Sequence, residues 1–86
     1  MDKKRIIELR GKAQSIKPTM HVGKEGVTES VIEELKAQIK RNKLVKVKVL
    51  PSVEADKRET ATRLSEAAGA VLIEIRGNTV VLAKQD

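Results

Sequence analysis

The segment LVKVKVL, residues 44–50, alternates between apolar and basic side chains. Because successive side chains of a β-strand point to opposite faces of a sheet, this alternation predicts a strand with its valines on one face and Lys46 and Lys48 on the other. Pro51 and Ser52 break the pattern, since proline has no N–H for the next hydrogen bond of a strand. The segment therefore indicates a sheet with one face partly in water.

Two helices and a short strand are predicted before this segment. Residues 2–14 carry apolar side chains at helical spacing behind an aspartate N-cap, and Lys17-Pro18 ends that element because the residue before a proline disfavours helix. Residues 20–22 form a short extended piece, and Thr28 is a good N-cap for a second helix over residues 29–42. The apolar stripe of the second helix consists of Val31, Ile32, Leu35 and Ile39.

A third helix is predicted after the segment. Asp56 and Glu59 have the spacing of a capping box, which is typical of a helix start. Gly69 is the expected stop, since glycine readily adopts the left-handed conformation that ends many helices. The side chains expected to point inward are Leu64, Ala67 and Ala68.

The chain is expected to close with a β-hairpin. Residues 71–76 and 79–84 are rich in apolar side chains and are separated by Gly77-Asn78, a pair typical of two-residue hairpin turns. The register that such a turn imposes brings apolar side chains face to face. It pairs Ile75 with Val80 and Ile73 with Leu82.

The order of these elements predicts the fold class. It is an α/β fold in which an N-terminal helix is followed by a β-α-β-α-β-β sandwich with a small mixed four-stranded sheet. The chain has 86 residues and no evident repeat, linker or low-complexity tract. We therefore expect a single domain over residues 1–86.

The composition argues against several classes of function. The chain has no cysteine, one histidine and no Phe, Tyr or Trp. Disulfides and thiol chemistry are excluded, and no metal-ligand partners accompany His21. Only His21 could serve as a platform on which bases stack, so an RNA-binding sheet with aromatic platforms is not expected. A serine or carboxylate site stays open on composition alone. We nevertheless expect a protein that is not an enzyme and holds no metal or cofactor.

Neither a membrane span nor a secretory leader is expected. The longest apolar runs, residues 70–73 and 80–83, are far shorter than the ~20 residues that cross a bilayer. The basic residues 3–5 lead into only Ile6 and Ile7 before charge resumes at Glu8, whereas a leader has a longer apolar run after its basic start. We therefore expect a cytoplasmic protein with no membrane partner, and a monomer is the favoured oligomeric state.

The positive charge is concentrated in the first part of the chain. Residues 1–50 carry 13 basic and 6 acidic side chains, whereas residues 51–86 carry 5 basic and 6 acidic ones. The net charges of the two parts are thus +7 and −1. Such an excess favours a polyanionic partner, although most charge runs are ordinary solvated surface.

The loop Gly23-Lys24-Glu25-Gly26 is the most informative motif. Two glycines around a lysine, directly before a helix, permit a sharp backbone path and close approach of main-chain N–H groups to a phosphate. The plain alternative is a charged turn with no ligand. Basic side chains on the following elements favour the phosphate hypothesis, namely Lys36, Lys40, Arg41, Lys43, Lys46 and Lys48.

Several segments, in order, resemble the YhbY or CRM family, the RNA-binding domain of chloroplast RNA splicing and ribosome maturation proteins. The resemblance implies a fold similar to the C-terminal domain of translation initiation factor three. The chain departs from the family in its last strand, which has Leu82-Ala83-Lys84 where members often carry an aromatic residue. The matching segments are Leu9-Arg10, Ala13, Ile16-Lys17-Pro18, Val22-Gly23-Lys24, Gly26-Val27-Thr28, Val31-Ile32 and residues 44–48.

The resemblance also implies which residues meet RNA. Gly23, Lys24, Glu25 and Gly26 match the RNA-contacting loop of the family, and Arg76-Gly77-Asn78 matches a turn that we interpret as structural. His21 is most simply a strand side chain, with an RNA contact as the alternative. The candidate RNA-binding residues around the loop are Arg10, Lys12, Lys17, His21, Lys36, Lys40, Arg41, Lys43, Lys46 and Lys48.

The charge and the loop predict a protein that binds RNA, and the resemblance implies that this RNA is structured ribosomal RNA and that the protein assists assembly of the large ribosomal subunit. Its partners would be ribosomal RNA or particles that precede the large subunit. Two alternatives remain open at this point. The same electrostatics suit a small basic DNA-binding protein, and exposed strand edges suit a protein-interaction module that docks an acidic partner.

Overall fold

A computed structural model describes residues 1–23, 25–50 and 56–85 of the chain. The described residues contain three helices and four strands in the predicted order. No described helix is long and apolar enough to cross a membrane. The elements are α1 (Lys3–Ala13), β1 (Met20–Val22), α2 (Glu29–Asn42), β2 (Leu44–Val49), α3 (Lys57–Ala68), β3 (Ala70–Arg76) and β4 (Thr79–Lys84).

The strands form one mixed sheet in the order β1-β2-β4-β3. Strand β1 is parallel to β2, whereas β4 is antiparallel to both β2 and β3. The fold class predicted from the sequence is confirmed. The parallel pair requires a crossover, which α2 supplies, and the antiparallel pair β3–β4 needs only a tight turn.

The predicted helix starts are confirmed by their caps. The Asp2 carboxylate accepts a 2.8 Å hydrogen bond from the N–H of Arg5, and Thr28 Oγ1 accepts one from Val31 at 3.2 Å. The Asp56 carboxylate caps α3 by accepting from the N–H of Arg58. Each bond satisfies a donor that a helix N-terminus would otherwise leave without a partner.

Helices pack on both faces of the sheet. The larger core lies between the sheet and α2 with α3, and includes Leu35, Leu64 and Leu82. The smaller core lies under α1 and joins Leu9 and Ala13 to side chains of β3 and β4. The alternation in residues 44–50 decides which face each side chain of β2 meets, with the valines buried and the lysines on the α1 side.

The hairpin prediction is correct at its tip and wrong further along. Ile75 pairs with Val80 as predicted, but Leu82 pairs with Leu72 and not with Ile73. A register shift between Leu72 and Glu74 inserts an extra residue into β3. The bulge turns Ile73 toward α1, where it joins the smaller core.

One inward residue of α3 was also predicted wrongly. Ala67 is exposed, whereas Thr60 and Ala61 are buried beside Leu64. Ala67 follows Thr60 by seven residues and Leu64 by three, so helical spacing places it at the edge of their stripe and does not by itself predict its exposure. Small alanines gave no reliable signal of which face was buried.

Candidate nucleic-acid interface

The predicted glycine loop connects β1 to α2. The N–H of Gly26 donates a 2.9 Å hydrogen bond to the carbonyl oxygen of Gly23, which closes a four-residue turn. Gly26 has a φ of +73°, in the left-handed region that favours glycine, whereas Gly23 has no positive φ. Lys24 lies outside the described residues. The loop thus depends on Gly26 for its backbone conformation.

The loop leads directly into the N-terminus of α2. Gly23, Glu25, Gly26 and Thr28 line a shallow recess there. The N-terminus of a helix carries unpaired N–H groups and a partial positive charge, so it favours an anion such as a phosphate. The exposed Glu25 side chain lines the same recess, and its negative charge opposes this attraction.

The loop shares one edge of the sheet with two other segments. Strands β1 and β2 run in parallel and pair Val22 with Val49, so both end at this edge. The N–H of Val49 donates to the carbonyl oxygen of Asn78 at 2.7 Å, which brings the β3–β4 turn to the same place. We call this the loop edge of the sheet.

Lys46 has a local structural role. Its Nζ donates hydrogen bonds to the carbonyl oxygens of Ala13 and Ile16, both at 3.1 Å. These carbonyls lie at and just beyond the C-terminus of α1, where a lysine ammonium also complements the negative end of the helix dipole. The ammonium of this candidate residue therefore connects β2 to the C-terminal end of α1 by hydrogen bonds.

Helix α1 covers only part of its sheet face. Lys46 and Glu74 both pair with Val81, so they lie in one row across the sheet. The Arg10 guanidinium reaches that row from α1 and lies 3.6 Å from the Glu74 carboxylate. The candidate residue Arg10 is thus engaged with the protein itself, although half of its side chain is in solvent.

The next row toward the loop edge lies beyond the contacts that α1 makes with the sheet. His21 pairs with Lys48, Lys48 pairs with Thr79, and Thr79 pairs with Arg76. Paired residues of neighbouring strands point to the same face, so these four side chains share the α1 side of the sheet. His21, Lys48 and Arg76 are exposed and Thr79 is half-buried. We call this set the upper row.

The structure therefore places some of the candidate RNA-binding residues close together and others far apart. His21 and Lys48 lie side by side near the loop, and Arg76 and Thr79 join them although sequence reasoning did not select them. The sequence alone does not identify Arg76 and Thr79 as candidates, because a row of residues across four strands can be recognised only when the register of the strands is known.

The basic side chains of α2 lie elsewhere. This 14-residue helix is about 20 Å long, so its C-terminal end is far from the loop. Lys43, at the C-cap, has a left-handed φ of 64° and lines a depression with Arg5 and Lys84. Lys12 is exposed in the last turn of α1, and Lys17 is exposed in the segment that follows. The exposed candidates in the second half of α2 and at its C-cap are Lys36, Lys40, Arg41 and Lys43.

The comparison with protein families identifies the domain. The model of the CRS1 / YhbY (CRM) domain matches residues 1–84. The chain belongs to this family. Within the described ranges, no group of three or more His, Asp or Glu side chains could hold a metal ion.

Relatives of this CRM domain come from bacteria and archaea. The probable RNA-binding protein YqeI of Bacillus subtilis is 36% identical over 77 residues, which span 90% of this chain and 80% of the relative. A probable RNA-binding protein of Methanocaldococcus jannaschii is 40% identical over 76 residues, which span 86% of this chain and 56% of the relative. The chain thus spans only about half the length of the archaeal relative.

A solved structure supports the fold of the CRM domain described above. The solution structure of a hypothetical protein of Staphylococcus aureus, described as a candidate RNA-binding protein, has a TM-score of 0.86 and 31% identity. The match covers 100% of this chain and 90% of the staphylococcal one.

Proposed function

We propose that this CRM-family protein binds RNA as a non-enzymatic cytoplasmic protein, with the Gly23–Gly26 loop in contact with the RNA backbone. The observation that carries the proposal is the loop itself, a turn closed by a 2.9 Å hydrogen bond at the start of α2. Main-chain N–H groups at such a position can approach a phosphate closely. The names of the bacterial and archaeal relatives, which are probable RNA-binding proteins, support the same class of ligand.

Lysine and arginine side chains supply the affinity in this proposal. Each phosphate that they neutralise releases condensed counterions, so binding weakens as salt rises. Residues 1–50 have a net charge of +7, which provides enough cations for several such contacts. Contacts of this kind position the protein without reading bases, so we expect little sequence discrimination.

The RNA that we propose is structured ribosomal RNA, bound during assembly of the large ribosomal subunit. The family resemblance supports this choice. The absence of Phe, Tyr and Trp supports it further, because modules that hold unpaired bases rely on aromatic stacking. A domain without such platforms suits a ligand whose phosphates are fixed by RNA structure.

Not every candidate side chain belongs to the proposed interface. Gly23 and Gly26 form its centre, Lys24 lies between them in the sequence, and His21 and Lys48 lie near the two glycines. Lys46 is left out because its ammonium donates to the end of α1. The basic residues of the C-terminal end of α2 can touch only an RNA that spans the length of that helix.

Relative affinity for three nucleic acids tests the proposal. A ribosomal RNA stem-loop, an unstructured RNA and a DNA duplex are compared at matched salt, and we expect the stem-loop to bind most tightly. Equal or tighter binding to duplex DNA would favour the DNA-coating alternative. Sedimentation with large-subunit precursors, repeated after nuclease treatment, tests the acidic-protein alternative, since a protein-mediated association would survive nuclease.

A further inference from the structure

The upper row extends the loop into a continuous surface. Its members His21, Lys48, Thr79 and Arg76 come from β1, β2, β4 and β3, so the row crosses the whole sheet. Neighbouring strands lie about 4.8 Å apart, which gives the row a width of about 14 Å. At its β1 end, the chain passes from His21 through Val22 into the Gly23–Gly26 loop.

The row has the charge of an anion-binding surface. Lys48 and Arg76 are exposed, and within the described part of the chain neither forms an ion pair with a carboxylate. The row below differs, because its Glu74 meets Arg10 and its Lys46 meets carbonyl oxygens. Free cations are therefore found where α1 leaves the sheet uncovered.

The remaining groups suit a ribose-phosphate backbone. Lysine and arginine donate to phosphate oxygens, and the Thr79 hydroxyl between them can donate to or accept from a ribose 2′-hydroxyl. The chain has no Phe, Tyr or Trp, so His21, at the β1 end of the row, is the one side chain on which a base could stack. The other three members offer contacts mainly to the backbone of a nucleic acid.

We propose that the upper row binds the ribose-phosphate backbone of the RNA as it leaves the Gly23–Gly26 loop. Lys48 and Arg76 contact successive phosphates, and Thr79 contacts the sugar between them. Arg76 and Thr79 become RNA-contact residues, in addition to the structural role of their turn. The proposal rests on the proposed RNA-binding function and names a further surface for it.

A pair of charge-matched double variants tests the row. Lys48→Gln with Arg76→Gln removes its two cations, whereas Lys57→Gln with Arg63→Gln removes the same residue types from α3, on the other face of the sheet. All four side chains are exposed, so both proteins should fold, and thermal melting checks this. Affinity for a ribosomal RNA stem-loop is measured over a range of salt concentrations.

The two variants are expected to differ. The row variant should bind roughly tenfold more weakly and lose about 1.4–1.8 from the magnitude of the slope of log affinity against log salt, because two phosphate contacts disappear. The α3 variant should stay within about threefold of the wild type, with its slope unchanged. Equal losses of RNA affinity in both variants would overturn the proposal that the upper row contacts RNA, but would not contradict RNA binding by the protein. A wild-type protein without RNA affinity would instead overturn the proposed function.

Two further measurements do not depend on charge removal. Thr79→Val keeps the shape of the side chain but removes its hydroxyl, and should lower affinity for RNA more than affinity for DNA of the same sequence. Amide resonances of the wild-type protein, followed during titration with the stem-loop, should shift at the ends of β2, β3 and β4 near the loop edge. Shifts confined to α2 and the loop would contradict the proposal.

Discussion

Gly23 and Gly26 are equivalent in the sequence motif but not in the structure. Gly26 has a φ of +73°, so Gly26→Ala should lower the free energy of unfolding by about 1–2 kcal/mol, the cost of the left-handed conformation for a residue with a Cβ. A Cβ on Gly23 would meet only Leu50 Cδ1 at 3.6 Å, an ordinary contact. The melting temperature of Gly26→Ala should therefore lie below that of Gly23→Ala by about 4–8 °C for each kcal/mol of difference in their free energies of unfolding.

The glycine variants also allow the effect on fold stability to be distinguished from the effect on RNA affinity. Gly23→Ala should leave the fold intact while its Cβ obstructs a phosphate at the turn, so RNA affinity should fall with the melting temperature unchanged. Gly11→Ala is the control, since Gly11 lies in α1 with no atom within 4 Å of the added Cβ. That change should stabilise the protein by about 0.5–1 kcal/mol and leave RNA affinity alone. Wild-type affinity in the folded Gly23→Ala protein would mean that the loop is only a turn.

At the level of elements, α1 is held to the sheet by a small apolar core and by Lys46. Lys46→Met keeps the apolar stem but removes the hydrogen bonds to Ala13 and Ile16, so we expect a loss of about 1–3 kcal/mol in the free energy of unfolding. Lys48→Met, two residues along the same strand face, removes an exposed ammonium and should change stability by less than about 0.5 kcal/mol.

Measured together, the two lysine variants distinguish a lysine that stabilises the fold from a lysine that contacts RNA. Urea unfolding should report the loss for Lys46→Met, and RNA titration should report the loss for Lys48→Met. If Lys46→Met melted like the wild type and bound RNA more weakly, its ammonium would serve the ligand and not α1. The prediction differs from the sequence-based interpretation, in which both lysines belong to one RNA-binding face.

Local features of this protein can be predicted from its sequence, whereas contacts between distant segments cannot. Caps such as Asp2 and Thr28 act within three residues, so they predict the helix starts correctly. The partners of Lys46 lie 33 and 30 residues away in the chain, and no local pattern records them. The upper row depends on register across the whole sheet, and a bulge at Ile73 shows that turn chemistry alone does not fix that register.

Across the whole molecule, the basic groups fall into two sets at opposite ends of α2. The loop and the upper row lie at the loop edge, whereas Lys40, Arg41 and Lys43 lie about 20 Å away along the helix. The chain measures 34 × 24 × 20 Å, so an RNA must be comparable to its longer dimensions to touch both sets. RNA length should therefore decide how many phosphates are contacted.

We expect a short stem-loop to give a slope of log affinity against log salt of about −3, because it meets only the cations of the loop edge. A longer RNA that reaches both ends should give about −5, with two more phosphates neutralised. Lys40→Gln with Arg41→Gln should then reduce the slope for the long RNA and leave the short one unchanged, since long-range attraction is screened beyond about 8–10 Å at ordinary salt. Equal slopes for both RNAs, unaffected by that variant, would exclude the C-terminal end of α2 from the interface. A slope near zero for every RNA would contradict polyanion binding altogether, because phosphate neutralisation without counterion release is not possible.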